Sequence, residues 1–136
     1  MNDIFKFFSE KDKFAKHCGI ELMEVSDGKA IVKMTIGKHH LNGVGTVHGG
    51  ALFTIADFAF AVASNSHGQI AMSINASMNY FKAVLDGTLT AEAKEISLSP
   101  KLATYTVEIT NQDKELIALF QGMVYRKKQT LETISQ

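Results

Sequence analysis

Residues 51–65 decide the fold, and they read ALFTIADFAFAVASN. The stretch is rich in good helix formers and apolar on nearly every side, which predicts a helix that lies inside the protein. Asp57 is the one charged side chain within it, and Gly68 follows its end. Because a buried helix needs cover on all sides, we expect the rest of the chain to wrap around it.

Short segments with the composition or alternation of β-strands lie on both sides of this helix. Two precede it, at residues 20–25 and 29–36, and the Asp27-Gly28 pair between them is a strong hairpin signal. Four follow it, at residues 73–80, 88–98, 103–110 and 116–125. This order predicts an α+β protein in which one curved antiparallel sheet wraps around the central helix.

The two ends of the chain have different patterns. Apolar residues from Ile4 to Cys18 recur at spacings of three and four, which predicts one amphipathic N-terminal helix within residues 1–18. Residues 128–136 are polar apart from Leu131 and Ile134, so we expect a frayed tail. No linker or repeat interrupts the chain, and we expect a single domain over residues 1–136.

The composition excludes several classes of protein. The 136 residues are 46% hydrophobic and 21% charged, with 14 basic and 14 acidic side chains, so there is no global electrostatic reason to expect nucleic acid or a membrane surface as partner. Cys18 is the only cysteine, and the charged N-terminus does not fit a signal peptide, which together predict a cytoplasmic protein. The five histidines form no pattern typical of metal ligands, so we expect no metal.

The most informative feature is a long segment almost without charge. Between Lys38 and Lys82, histidines aside, Asp57 is the only charged side chain. Burial of a lone carboxylate costs free energy and raises its pKa. Asp57 is therefore either a cap for the backbone amides of a neighbouring loop or a catalytic base or nucleophile, and we favour catalysis.

The loop that leads into the helix reads NGVGTVHGG over residues 42–50. The first amides of a helix are unpaired, and they could hold a substrate oxygen that becomes negative in the transition state. Glycine would let such a ligand approach the backbone closely, or it would simply make the turns. The loop is not a dinucleotide fingerprint, because His48 stands where the third glycine belongs.

The run HGGALFTIAD at residues 48–57, preceded by Leu41-Asn42-Gly43, closely resembles the hotdog-fold acyl-CoA thioesterases of the phenylacetate-degradation type, the PaaI-like family. The similarity covers nearly the whole chain, including residues 118–122. The resemblance implies a hotdog fold, an acyl-CoA substrate and no cofactor. It also implies a homodimer or homotetramer in which two subunits join their sheets and share sites at the interface.

The resemblance further implies a role for each residue of the motif. Asp57 would activate water or attack the thioester, and the Gly50 amide would bind the carbonyl oxygen. Asn42, from the facing subunit, would position water or the thioester, and His48 would shape or polarise the same site. Thr54 stands where relatives often have a hydroxyl.

Four more residues are candidates for substrate binding. Ser73 falls where some relatives orient water, although Ser73 and Thr54 could each simply satisfy a backbone carbonyl. Gly49 lies beside the proposed carbonyl clamp, and Lys82 and Lys101 could meet coenzyme A phosphates. After the third strand, family members commonly have an aromatic residue or leucine, then a basic residue and then proline. This chain has Tyr80-Phe81-Lys82-Ala83-Val84 there, so the proline is missing and the path of that loop is open.

Hydrolysis of an acyl-CoA to a carboxylic acid and free coenzyme A is the predicted reaction. A hotdog hydratase or dehydratase is the alternative enzyme, but its His-containing signature is absent. A non-catalytic acyl-CoA-binding module would lack the base that Asp57 supplies. The acyl group is left open, because the apolar residues that could line its pocket would equally fill a core; they are Phe53, Phe58, Phe60 and Met78.

Overall fold

A computed structural model describes residues 1–132 of the chain. The helices are α1 (Asn2–Lys11), α2 (Lys13–His17) and α3 (Gly49–Asn65), with a 3-10 turn at Lys38–His40. The strands are β1 (Ile20–Ser26), β2 (Lys29–Thr35), β3 (Gln69–Tyr80), β4 (Thr88–Leu98), β5 (Leu102–Thr110) and β6 (Leu116–Thr130). No helix within this part of the chain is long and apolar enough to cross a membrane.

All six strands form one antiparallel sheet in the order β1-β2-β4-β5-β6-β3. The central helix α3 packs against the sheet, and ten of its 17 residues are buried. Register shifts interrupt β1, β3 and β4, and such bulges bend a strand and increase its twist. The sheet therefore curves around α3, as the all-round apolar character of residues 51–65 predicts.

The predicted hairpin forms between β1 and β2, with Ser26 opposite Lys29. Gly28 has φ +70°, a left-handed conformation that suits glycine, and a Cβ there would meet the Cβ of Glu95 at 2.8 Å. The Gly28 amide donates to the Ser66 hydroxyl at 2.8 Å. The hairpin turn is thereby tied to the residue that caps the C-terminal end of α3.

The sheet approaches α3 most closely at Gly122 of β6. A Cβ on Gly122 would lie 2.7 Å from the Phe60 ring and 2.8 Å from the Phe120 ring. Both rings are buried, and their centroids are 5.2 Å apart. Glycine at this position leaves the volume into which the α3 aromatic packs.

The N-terminal helix predicted within residues 1–18 is present, but the prediction that it is one unbroken helix is wrong, because the chain breaks at Asp12 into α1 and α2. Asp12 has extended backbone angles, and its side chain accepts a hydrogen bond from the Ala15 amide at 3.0 Å. An aspartate in that conformation is a favourable N-cap, so it starts a second helix, α2. The spacing of apolar residues continues unchanged across Asp12, so it does not predict the break.

The prediction of a frayed tail from residue 128 is also wrong where the structure describes it. β6 continues to Thr130, which pairs with Gln69. The Leu131 amide donates to the Gly68 carbonyl at 3.0 Å, and the Leu131 side chain is buried. Residues 133–136 of the predicted tail lie outside the described residues. The early start of β3, at Gln69 and not Ser73, gives the end of β6 its partner.

Strand β3 forms one edge of the sheet and pairs with β6 alone. Residues 72–77 of β3 are all exposed, and the apolar side chains Met72 and Ile74 are 51% and 54% accessible. An exposed edge strand with apolar side chains is an unusual surface for an isolated subunit.

Candidate active site

One stripe of α3 is less buried than the rest of the helix. It contains Gly50, Phe53, Thr54, Asp57 and Ala61, whose spacings of three and four place them on one face. The Phe53 ring, at one side of this stripe, packs edge-on against Phe120 with a centroid distance of 5.5 Å. The structure therefore brings Gly50, Thr54 and Asp57 together on one surface, within about two turns of helix.

Asp57 is half-buried on this stripe. Burial raises the pKa of its carboxyl above the usual range, and the negative charge of Asp12 raises it further. Both influences disfavour the ionised form, so they make the carboxylate a stronger base. Perturbed carboxyl groups of this kind are enriched at functional sites.

The N-terminus of α3 is capped by His48. Its Nδ1 accepts a hydrogen bond from the Gly50 amide at 2.8 Å, and the Thr54 hydroxyl donates to the Gly50 carbonyl at 2.7 Å. The Gly50 amide, predicted to bind the substrate carbonyl, thus already has an acceptor in this structure. Thr54 meets a backbone carbonyl, which is one of its two predicted roles.

Asn42 organises the loop before α3. Its Oδ1 accepts from the amides of Val44 and Thr46 at 3.0 and 3.1 Å, and its Nδ2 donates to the Thr46 hydroxyl at 2.9 Å. One Nδ2 hydrogen remains after these bonds, because a side-chain amide has two. The loop projects outward, with Val44 85% exposed at its tip.

A cavity of about 290 Å³ opens beside the start of α3, and Gly49 and Lys82 both line it. Tyr80 lines it too, and its hydroxyl donates to the Gly49 carbonyl at 3.4 Å. Tyr80 was not among the predicted site residues. The only available signal was its place at the start of the Tyr80-Phe81-Lys82 motif.

Lys82 has a partner in the structure. Its ammonium group forms a salt bridge with Glu115, whose carboxylate also accepts from Asn111 Nδ2 at 3.0 Å. The Lys82 and Asn111 hydrogen bonds lower the pKa of Glu115. A phosphate that binds Lys82 must therefore compete with Glu115.

Lys101 and Ser73 lie apart from the residues at the start of α3. The Lys101 carbonyl accepts from the Arg126 amide at 2.7 Å, and the Arg126 side chain donates to Gln69, the first residue of β3. Since Tyr80 ends this 12-residue strand, its two ends are about 36 Å apart. Ser73 is exposed on the same strand, opposite Val124. One chain alone does not bring Lys101 to the start of α3.

The aromatic residues that could line an acyl pocket divide into two groups. Phe58 and Phe60 are buried in the core, whereas Phe53 is exposed and Met78 is half-buried. Among residues 1–132, no three His, Cys, Asp or Glu side chains form a group that could hold a metal ion.

A long helix wrapped by a six-stranded antiparallel sheet, with an aspartate on its accessible stripe, defines a hotdog-fold thioesterase. The chain belongs to the Thioesterase superfamily, whose family model matches residues 44–118. The predicted fold and enzyme class, a thioester hydrolase, are confirmed.

Several similar proteins align with most of this chain. A putative esterase of Archaeoglobus fulgidus is 45% identical over 121 residues, which are 88% of this chain and 79% of that protein. The acyl-coenzyme A thioesterase PaaI of Escherichia coli is 38% identical over 118 residues, or 86% of this chain and 84% of that protein. The solved structure of the E. coli PaaI protein from the phenylacetic acid degradation operon matches with a TM-score of 0.86, covering 89% of this chain and 88% of that chain.

Proposed function

We propose that the protein hydrolyses acyl-CoA thioesters and that Asp57 activates the attacking water. The observation that carries the proposal is the place of Asp57 on the accessible stripe of an otherwise apolar helix, with a raised pKa. A carboxylate that is partly desolvated but still reached by solvent can take a proton from water as water attacks a carbonyl. Thiolate is a good leaving group, so the reaction needs no metal or cofactor.

The amide of Gly50 is the proposed clamp for the thioester oxygen. It lies in the first turn of α3, where the helix dipole favours negative charge. His48 Nδ1 accepts a hydrogen bond from this amide in the structure. The substrate oxygen therefore replaces the imidazole as the acceptor, and the imidazole rotates away about its side-chain torsion angles. Negative charge that develops on the oxygen is then met by a fixed backbone donor.

Two copies of the chain are proposed to share each site. The support is the edge of β3, which has one free side and exposed apolar residues. A two-fold axis pairs identical strands antiparallel, so the start of one β3 lies near the end of the other. Asn42 and Lys101 of one subunit then lie at the site that contains Asp57 and Lys82 of its partner. Lys101 reaches such a site only across the interface, because within one chain it lies far from the start of α3.

A homotetramer is the proposed complete assembly, formed when the outer sheet faces of two dimers meet. The support is a second set of exposed apolar residues on the later strands, namely Ile96, Leu98, Leu102 and Tyr125. A cytoplasmic location and a role in phenylacetate degradation belong to the same proposal. The latter predicts that aryl-CoA thioesters are better substrates than alkyl-CoA thioesters of similar size.

The test combines a substrate panel with one substitution. Release of free thiol is measured on aryl- and alkyl-CoA thioesters for the wild type, for Asp57→Asn and for Asp113→Asn, which changes an exposed aspartate in the β5–β6 turn. Asp57→Asn keeps the shape of the side chain and removes the base. We expect it to fold, to bind a CoA ligand and to lose roughly 10²- to 10⁴-fold in kcat.

The control Asp113→Asn should retain wild-type turnover. Near-normal turnover of folded Asp57→Asn would contradict the assignment of the base. A wild type that releases no thiol from any thioester, but adds water to an unsaturated acyl chain, would instead support the hydratase alternative.

A further inference from the structure

All five histidines lie within residues 1–132, and among them only His40 is buried, with 5% of its surface exposed. It ends the 3-10 turn between β2 and the loop that carries Asn42. The mechanism proposed above does not use it. A buried imidazole needs hydrogen-bond partners for both ring nitrogens, and its partners identify its role.

The ring joins two backbone groups on opposite sides. The Gly37 amide donates to His40 Nδ1 at 2.9 Å, so Nδ1 carries no proton. Nε2 lies 2.7 Å from the Cys18 carbonyl and must therefore donate its proton to that oxygen. His40 is thus a neutral imidazole in a single tautomer, and neither nitrogen is available to a substrate.

These bonds connect the N-terminal helices to the loop before α3. Cys18 caps the end of α2, and Gly37 precedes the 3-10 turn. The backbone carbonyl of His40 accepts a third bond, from the amide of His48, at 2.7 Å. This bond joins the two ends of the loop, His40 and His48, directly to each other.

Asn42 lies inside this closed loop. Leu41 and Val47 form a bridge directly after His40 and before His48, and the Asn42 amide donates to the Thr46 carbonyl at 2.7 Å. A shift of His40 relative to Cys18 would consequently move both Asn42 and the His48 cap of α3.

We propose that His40 is a positioning residue for thioester hydrolysis. Its neutral ring holds residues 41–48 at a fixed place relative to α2, and so sets where Asn42 and His48 stand. The inference rests on the proposed function, because it takes Asn42 and His48 as groups that serve the reaction. Displacement of such groups by about 1 Å is enough to lower turnover strongly.

The test separates the two ring bonds with three variants. His40→Ala removes both bonds, His40→Asn retains an acceptor near the Nδ1 position for Gly37, and His40→Gln retains a donor near Nε2 for Cys18. Lys38→Ala, which changes an exposed side chain of the same turn, is the matched control. We expect His40→Ala to lose roughly ten- to a hundredfold in kcat with KM changed less than about twofold, and Asn and Gln each to recover part of the loss.

Two measurements do not depend on activity. The ¹⁵N shifts of His40 in the wild type should show the Nε2–H tautomer. The Gly37 amide should exchange at least about tenfold faster in His40→Gln, which lacks its acceptor, than in Lys38→Ala, and His40→Asn should retain part of its protection. The His48 amide should exchange at least about tenfold faster in either variant than in Lys38→Ala. If the proposed function is wrong, Asp57→Asn will keep wild-type turnover, whereas the faster amide exchange in the His40 variants will still be observed.

Three results would overturn the proposal. One is wild-type kcat in folded His40→Ala. Another is an equal loss in all three His40 variants, which would assign the effect to ring packing and not to the two bonds. The third is a wild-type His40 that is protonated at Nδ1. If His40→Ala does not fold, the Asn and Gln variants and the wild-type spectrum decide the question.

Discussion

Burial and the charge of Asp12 both raise the pKa of Asp57. The two residues belong to different parts of the chain, since Asp12 caps α2 and Asp57 lies on α3. Desolvation is the larger influence because the helix around Asp57 is otherwise apolar. A base must be ionised to accept a proton, so the same shift that strengthens the base also sets a lower limit to the active pH range.

The pH profile of hydrolysis should report this shift. We expect kcat/KM to rise with pH as Asp57 ionises, with a midpoint above the roughly 3.9 of a free aspartate. Asp12→Asn removes the second negative charge but retains a side-chain oxygen for the Ala15 amide, so it should move the midpoint to lower pH. Steady-state kinetics over the acid range measure both midpoints.

A control for this experiment is Asp3→Asn, which changes an exposed aspartate in the first turn of α1. It should leave the midpoint in place. An activity that falls as pH rises would contradict an ionised base. A midpoint common to wild type and Asp12→Asn would mean that the Asp12 charge does not reach Asp57.

The fold depends on how closely α3 approaches the sheet. Small residues line the strands beneath it, and paired positions on β2 and β4 are both alanine, Ala30 and Ala93. Gly122 on β6 is the extreme case because the Phe60 ring occupies the place of its missing side chain. The bulk of α3 is thus accommodated by the smallness of its neighbours.

Gly122→Ala should destabilise the protein. The added methyl group would lie inside van der Waals distance of two buried rings, and overpacking of this kind costs about 1–3 kcal/mol in the free energy of unfolding. Gly43→Ala is the control, because its added methyl group has nothing within 4 Å. Denaturant unfolding measures the free energy of unfolding of both variants. Equal values would contradict the prediction and show that β6 moves enough to accommodate the methyl group.

One surface of the folded chain carries a group of exposed apolar side chains. Met72, Tyr125 and Leu102 are neighbours across three strands, and all three are exposed. Both edge strands pair with one neighbour, but α1 and α2 contact β1, whereas residues 72–77 of β3 are all exposed. This asymmetry favours an assembly through β3.

The shared site can be tested by mixing inactive chains. Asn42→Ala and Asp57→Asn should each be inactive, and subunit exchange between them should restore up to roughly a quarter of wild-type activity through hybrids with one intact site. Sedimentation of the wild type should show a dimer or tetramer at micromolar concentration. A monomer, or no recovery after verified exchange, would contradict sites built from two chains.

The architecture and the main candidate for the base could both be predicted from the amino-acid sequence. Residues 51–65 are apolar on all sides, and strand-like segments surround them, so wrapping by a sheet was the simplest arrangement. Asp57 was identified because it is the lone charge in a long apolar segment, and such a contrast with neighbouring residues is visible in the sequence itself. Periodicity, composition and turn signals such as Asp27-Gly28 are local, and local patterns are legible without coordinates.

The hydrogen-bond and ion-pair partners of the polar groups could not be predicted, because they depend on how the chain folds. The Cys18 carbonyl binds His40 across 22 positions, and Glu115 binds Lys82 across 33. Even the break at Asp12 and the His48 cap on Gly50 depended on backbone angles that apolar spacing does not encode. Such bonds form where distant segments meet, because each polar group pairs with whichever donor or acceptor the folded chain brings to it.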